Sequence, residues 1–172
     1  MKNGKIIALS AISSALCTIL LVIGAYFPTL DLSCLFMASL AVTLPLSKNS
    51  YKGAILTYFA SLLLALIFAS SNFTVIVCFA LFFGLHPILN YYLISKNKKP
   101  INIFTIVKVL WFTALLYVMY YLLNMFVDVS DYLKDVAIYV LFIGGVIIGF
   151  IYDVAFMRIQ KMTLIIMKRL KL

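Results

Sequence analysis

The sequence predicts an all-α integral membrane protein, with six transmembrane helices in one bundle and both termini in the cytoplasm. Three observations predict it. Of 172 residues, 66% are hydrophobic and 11% charged, and the mean hydropathy is +1.17. A soluble domain carries roughly a quarter of its residues charged to wet its surface, so lipid must solvate most of this exterior. Next, six apolar runs are long enough to cross the hydrocarbon, where backbone polar groups have to be paired within a helix. Finally, the basic residues gather on alternate connections. The length suits one bundle and leaves no room for a separate soluble domain.

The first run, 6–27, ends at Pro28-Thr29. It is too long for a signal-peptide core and lacks a cleavage pattern after it, so it is expected to be retained. The second, 32–46, is the shortest and carries Pro45 near its end. The third, 51–69, is separated from the fourth, 73–94, by Ser70-Ser71-Asn72. A polar, basic loop from Lys96 to Pro100 precedes the fifth, 101–127, and the sixth is 132–157. In the basic tail, 158–172, Ile159, Met162, Ile166 and Leu170 share one helical face. Two readings stay open there: a helix lying on the inner membrane surface, or a cytoplasmic continuation of the sixth helix. No repeat or domain linker is visible.

Lysine and arginine positions set the orientation. With a cytoplasmic N-terminus, the inner segments hold Lys2, Lys5, Lys48, Lys52, Lys96, Lys98, Lys99, Lys108, Arg158, Lys161, Lys168, Arg169 and Lys171, which leaves Lys134 alone outside. Of the acids, Asp31, Asp128, Asp131 and Asp135 fall on the outer side. This explains the net charge of +9 without nucleic acid, because the cations sit at anionic headgroups of the inner face.

Catalytic chemistry is sparse. Cys17, Cys34 and Cys78 lie within spans, without metal-type spacing, and read as small apolar residues. There is one histidine and no glutamate. No phosphate-cradling loop, metal-ligand pair or nucleophile motif occurs. Membrane-embedded enzymes need paired acids, histidines or a nucleophile with its base. An enzyme is therefore disfavoured, no metal or cofactor is expected, and an ATP-driven pump is excluded for this chain alone.

In the first helix Ala8, Ala11 and Ala15 fall on one face, with Ser14 and Thr18 beside them. Small residues let helices approach closely in lipid, so this face either packs inside the bundle or docks a helix of another subunit. An alanine-x-x-x-alanine motif at Ala11 and Ala15, in the cytoplasmic half of the first of six helices behind a basic N-terminus, resembles the substrate-binding S components of energy-coupling-factor transporters. The stretch Gly24-Ala25-Tyr26-Phe27-Pro28-Thr29-Leu30-Asp31-Leu32-Ser33 also resembles the loop after their first helix. The overall plan covers the whole chain; the specific motif covers Ala11 and Ala15. The resemblance implies a subunit in the bacterial plasma membrane that binds a vitamin-like or nucleobase-like micronutrient from outside. It would then topple against a transmembrane coupling subunit driven by two cytoplasmic ATPases. Ala8, Ala11 and Ala15 would form the contact with that coupling subunit.

The resemblance also places the pocket in the outer half, under the loops after the first, third and fifth helices. Substrate-binding candidates there are Tyr26, Asp31, Asn72, Tyr117, Tyr121, Asn124 and Asp128, with Ser71, Tyr120, Ser130, Asp131 and Tyr139 nearby. Aromatic and amide groups stack on and hydrogen-bond a small planar ligand. A plainer role covers the same residues. Helices two, four and six start on the outer side, and Thr29 or Asp31, Asn72, and Asp128 or Ser130 are types that cap such starts. Tyrosines at the interface are anchors.

The inner third holds a second polar group, His86, Lys108 and Asp153, within roughly 15 Å of the cytoplasmic boundary at 1.5 Å per residue. Ionisable residues at such depth pair with one another. Asp153 and Arg158 do not share a helical face, so an interhelical partner for Asp153 is expected. The cluster reads as a hinge or proton relay, or more simply as a snorkelling Lys108 and an Asp153 satisfied by a nearby cation. Pro87 is expected to kink the fourth helix, with Gly84 allowing close packing beside it. Gly144, Gly145 and Gly149 mark a close-contact stripe on the sixth.

Two further functions compete with transport of this kind. One is a non-transport membrane scaffold with a related six-helix plan, of the MreD kind that organises wall synthesis, without a ligand. The other is a proton-coupled secondary transporter using Asp153 or His86, which at this length, without an inverted repeat, would need a dimer.

Overall fold

Small residues take much of the interior where helices approach closely, beside a few buried large ones such as Leu21, Leu46, Phe79 and Phe156. In the helix Tyr51–Phe68, Gly53, Ala54, Thr57, Ser61 and Ala65 are buried, while Ile55, Phe59, Leu63 and Ile67 are exposed. Helices in lipid gain little from burying leucine and much from close backbone contact, so small residues are favoured at such contacts. The computed structural model describes residues 2–70, 72–96, 103–123 and 134–169. Among them there is no strand.

The helices are α1 (Lys2–Tyr26), α2 (Asp31–Val42), α3 (Tyr51–Phe68), α4 (Phe73–Cys78), α5 (His86–Ser95), α6 (Ile103–Leu123) and α7 (Lys134–Arg169). Among the described residues six segments are long and apolar enough to cross a membrane: Gly4–Tyr26, Pro28–Lys48, Tyr51–Phe68, Phe73–Ser95, Ile103–Tyr120 and Phe142–Met167. The second is longer than the 32–46 expected. The 3-10 turns Pro28–Leu30 and Pro45–Lys48 extend α2 at both ends, each opened by a proline. α7 runs without interruption to Arg169, so residues 158–169 continue the sixth helix. Ile159, Met162 and Ile166 do form one exposed face there.

The chain divides into two compact units, 1–98 with 159–172, and 99–158. In the first, the chain crosses from α2 to α3 through Asn49, a left-handed residue at φ 56°, a conformation asparagine tolerates better than most side chains. Ser50 then caps α3, its hydroxyl accepting the Gly53 N–H at 3.0 Å.

The fourth span is not one helix. α4 passes into a π-helical turn, Phe79–Phe83, before α5 begins. Pro87 explains the break: it has no N–H for the Phe83 carbonyl, and its ring would collide with that turn. The expected kink at Pro87 is therefore spread over the turns before it, and Pro87 lies within the first turn of α5. The widened turn is closed by the Gly84 N–H donating to Phe79 O at 2.8 Å, which passes over the Ala80 carbonyl. Both released carbonyls are taken up from neighbouring helices. The Tyr58 hydroxyl donates to Ala80 O at 2.9 Å, and the Ser39 hydroxyl donates to Phe83 O at 2.6 Å. Pro45 likewise denies the Ala41 carbonyl its usual i+4 donor; that carbonyl accepts the Leu44 N–H at 3.1 Å and, in addition, the buried Ser13 hydroxyl of α1. Ser39→Ala is thus expected to lower stability by about 1 kcal/mol, read as the shift of a detergent unfolding titration.

In the second unit α6 and α7 run antiparallel, in a register that steps one helical turn at a time. A Cβ on Gly145 would lie 3.1 Å from Leu116 Cδ1, and one on Gly149 2.9 Å from Phe112 Cδ1. Gly144 meets nothing within 4 Å, so the expected glycine stripe consists of Gly145 and Gly149. The next step of the same ladder pairs Lys108 with Asp153.

Candidate functional site: small-residue face, polar seam and buried ion pair

α1 presents two different faces. Ser10, Ser13, Ser14, Cys17, Thr18 and Leu21 are buried. Ser14 and Thr18, which flank the alanine face, return their hydroxyls to the carbonyls of Ser10 and Ser14, each at 2.8 Å. Ala8, Ala11 and Ala15 are all exposed, between exposed Ile7, Ile12 and Ile19. Among the described residues of the first unit, no helix covers this face.

The buried side of α1 opens onto a polar seam in the first unit. Ser10, Ser13, Ser39, Thr43, Thr57, His86, Asn90 and Gln160 are all at most 1% exposed. Besides the serines on the released carbonyls, Thr57 donates to Ser10 O at 3.3 Å, and Gln160 Nε2 donates to Pro87 O at 2.7 Å. His86 stacks on Phe82 with ring centroids 5.0 Å apart. Tyr91 donates to Asn49 Oδ1 at 2.5 Å and meets Tyr51 edge-on. In hydrocarbon a hydroxyl without a partner is costly, and most of this seam acts as an internal hydrogen-bond lattice around the interrupted fourth span.

In the second unit Lys108 and Asp153 form an ion pair, with side chains 8% and 1% exposed. Lys108 therefore does not snorkel. The close approach at Gly149 and Phe112, one turn away on each helix, brings the two chains near enough for direct contact. Tyr152 stacks in parallel on Phe112 beside it, at 6.3 Å and 6°.

The substrate-binding candidates are less gathered. Tyr26 is 60% and Tyr117 50% exposed. Asp31 lies in the first turn of α2, and its carboxylate accepts the N–H of adjacent Leu32 at 2.5 Å. It supplies charge to the helix start rather than a cap, since Leu30 holds the capping position. Asn72 holds that position at α4 without a side-chain bond to the helix. Asn124 and Asp128, with Ser71, Ser130 and Asp131, lie outside the described residues, as does the Tyr121 side chain. Two concavities are lined by described residues. One, about 400 Å³, lies between the starts of α1 and α3; the other, an apolar groove of about 370 Å³, lies between α6 and α7. Neither is lined by a substrate-binding candidate.

Sequence reasoning did not single out Ser13, Ser39, Tyr58 or Gln160. A signal was present: a proline inside a membrane span releases the carbonyl four residues back, and some neighbouring helix must supply a donor.

The fold and these sites define a class, the multi-pass helical membrane protein. Comparison with protein-family models, curated proteins and solved structures finds no match for this chain.

Proposed function

We propose that this chain is the substrate-specific membrane subunit of an importer. With both termini cytoplasmic, it captures a small vitamin-like or nucleobase-like molecule on the outer side of the bacterial plasma membrane. A separate transmembrane coupling subunit with two ATPases then energises uptake. The observation that carries this reading is the exposure of Ala8, Ala11 and Ala15 on a helix whose other face is occupied by hydrogen bonds to its neighbours. A smooth, outward small-residue strip allows another helix to approach to backbone distance. The resemblance to energy-coupling-factor S components supplies the partner.

The test is the double variant Ala11→Leu/Ala15→Leu. It is expected to abolish co-purification with the coupling subunit and uptake, while the isolated chain keeps its melting temperature because neither side chain is buried. An intact complex with unchanged uptake removes the docking role.

One observation favours a second reading, the ligand-free scaffold of the MreD kind: Tyr26 and Tyr117 face outward rather than into either concavity. Thermal stabilisation across a vitamin and nucleobase panel separates the two, since a ligand that binds the folded state raises its melting point. A hit supports import; a panel without one, with the Ala11→Leu/Ala15→Leu complex intact, supports the scaffold.

A further inference from the structure

We infer that the concavity between the starts of α1 and α3 binds the phosphodiester headgroup of an anionic phospholipid. This goes beyond the import reading and depends on the membrane-spanning fold alone.

The start of α3 supplies one side. Ser50 already engages two of its first N–H groups, accepting Gly53 N–H on Oγ at 3.0 Å and Ala54 N–H on its carbonyl at 3.2 Å. The first-turn N–H groups of Tyr51 and Lys52 find no acceptor among the described residues. Such groups, with the helix dipole behind them, favour an anion. No acidic residue competes in that first turn, and the exposed Lys52 adds a full positive charge.

The second observation is independent of the helix end. Ser10 lines the same concavity, is 1% exposed, and its hydroxyl has no partner among the described residues. Its carbonyl, by contrast, accepts from both Ser14 and Thr57. A buried hydroxyl in a membrane protein is ordinarily paired, and the other seam serines are. This one faces Gly53, where a Cβ would stand 2.8 Å from Ser10 Oγ. The absence of a side chain lets the first turn of α3 come this close to Ser10, so that one oxygen in the concavity can be shared by the Ser10 hydroxyl and the α3 start.

The walls select a lipid over a free anion. Ile7 and Leu56 line the concavity and are 62% and 54% exposed, which continues it onto the apolar outer surface. An inorganic phosphate gains nothing from that continuation. A lipid places its phosphate in the polar part and its acyl chains along the apolar part.

The experiment uses the full chain in neutral detergent, melted with phosphatidylglycerol, phosphatidylcholine or inorganic phosphate. Phosphatidylglycerol is expected to raise the melting temperature and the other two to leave it. Lys52→Gln should weaken the phosphatidylglycerol response roughly fivefold, the share of one lysine near an anionic surface, while Lys96→Gln, outside the concavity, leaves it. Ser10→Ala should keep the lipid-free melting temperature and also weaken the response. Equal losses for Lys52→Gln and Lys96→Gln would indicate diffuse surface attraction and overturn the site. So would stabilisation by phosphate equal to that by lipid, or a Ser10→Ala variant that melts lower without lipid yet responds to lipid as the parent does.

Discussion

Asp153→Asn is expected to cost about 3–5 kcal/mol of stability, the largest effect of any single substitution considered for this fold. The reason lies in what it leaves behind. Lys108 and Asp153 are both almost wholly buried on helices whose outer surfaces are apolar. Neutralising one partner strands the other charge in a medium with little means of solvating it. Removing both is a different experiment. Lys108→Leu/Asp153→Leu replaces the pair with apolar volume, and buried pairs exchanged in this way are often neutral or stabilising. The double variant should therefore recover most or all of the loss. Unfolding titrations of the parent, both single variants and the double variant in mixed micelles give the coupling directly. A double variant as unstable as Asp153→Asn would show that the pair is needed for more than charge balance.

Gly84→Ala is expected to cost about 2–4 kcal/mol, although alanine is ordinarily the better helix residue. The added Cβ would lie 2.5 and 2.7 Å from Tyr58 Cδ2 and Cε2, and 3.0 Å from Phe79 Cε1. Tyr58 cannot simply swing away, because its hydroxyl holds the carbonyl that the π-turn releases at Ala80. Relieving the overlap therefore breaks that bond or shifts the turn. Combining Gly84→Ala with Tyr58→Ala removes the collision, so the double variant should be less damaged than the two single losses together. A Gly84→Ala protein with parental stability would mean that the ring moves freely and that the Ala80 carbonyl does not depend on it.

Much of the architecture was legible without coordinates, and the residues say why. Hydropathy is a local sum, so runs such as 51–69 announce α3 almost to the residue. Rarity is local too: the one histidine, Lys108 and Asp153 stand out from an apolar background. Proline announces its own disturbance, and Pro87 did point to the interruption of the fourth span. The form of that interruption was not legible. A π-turn needs partners for the carbonyls it releases, and those came from Ser39 and Tyr58, residues distant in sequence and unremarkable in type. The capping roles assigned to Asp31 and Asn72 also failed for a geometric reason. One lies inside its helix, and the other occupies the right position without the bond.

By itself, the sequence determined that this protein lives among lipids as six apolar helices, because composition and run length are independent of how helices are arranged. It also named the chemistry available: an alanine strip near the start, few ionisable groups within the spans, and a surplus of cations at their ends. Tertiary structure alone decided which faces those groups occupy. It turned Ala8, Ala11 and Ala15 outward and Ser10 inward, and it brought Lys108 to Asp153 through the close approach at Gly149. The physical reason is register. A rotation of one residue, about 100° around a helix axis, moves a side chain from lipid to core, and only packing against neighbouring helices selects between them.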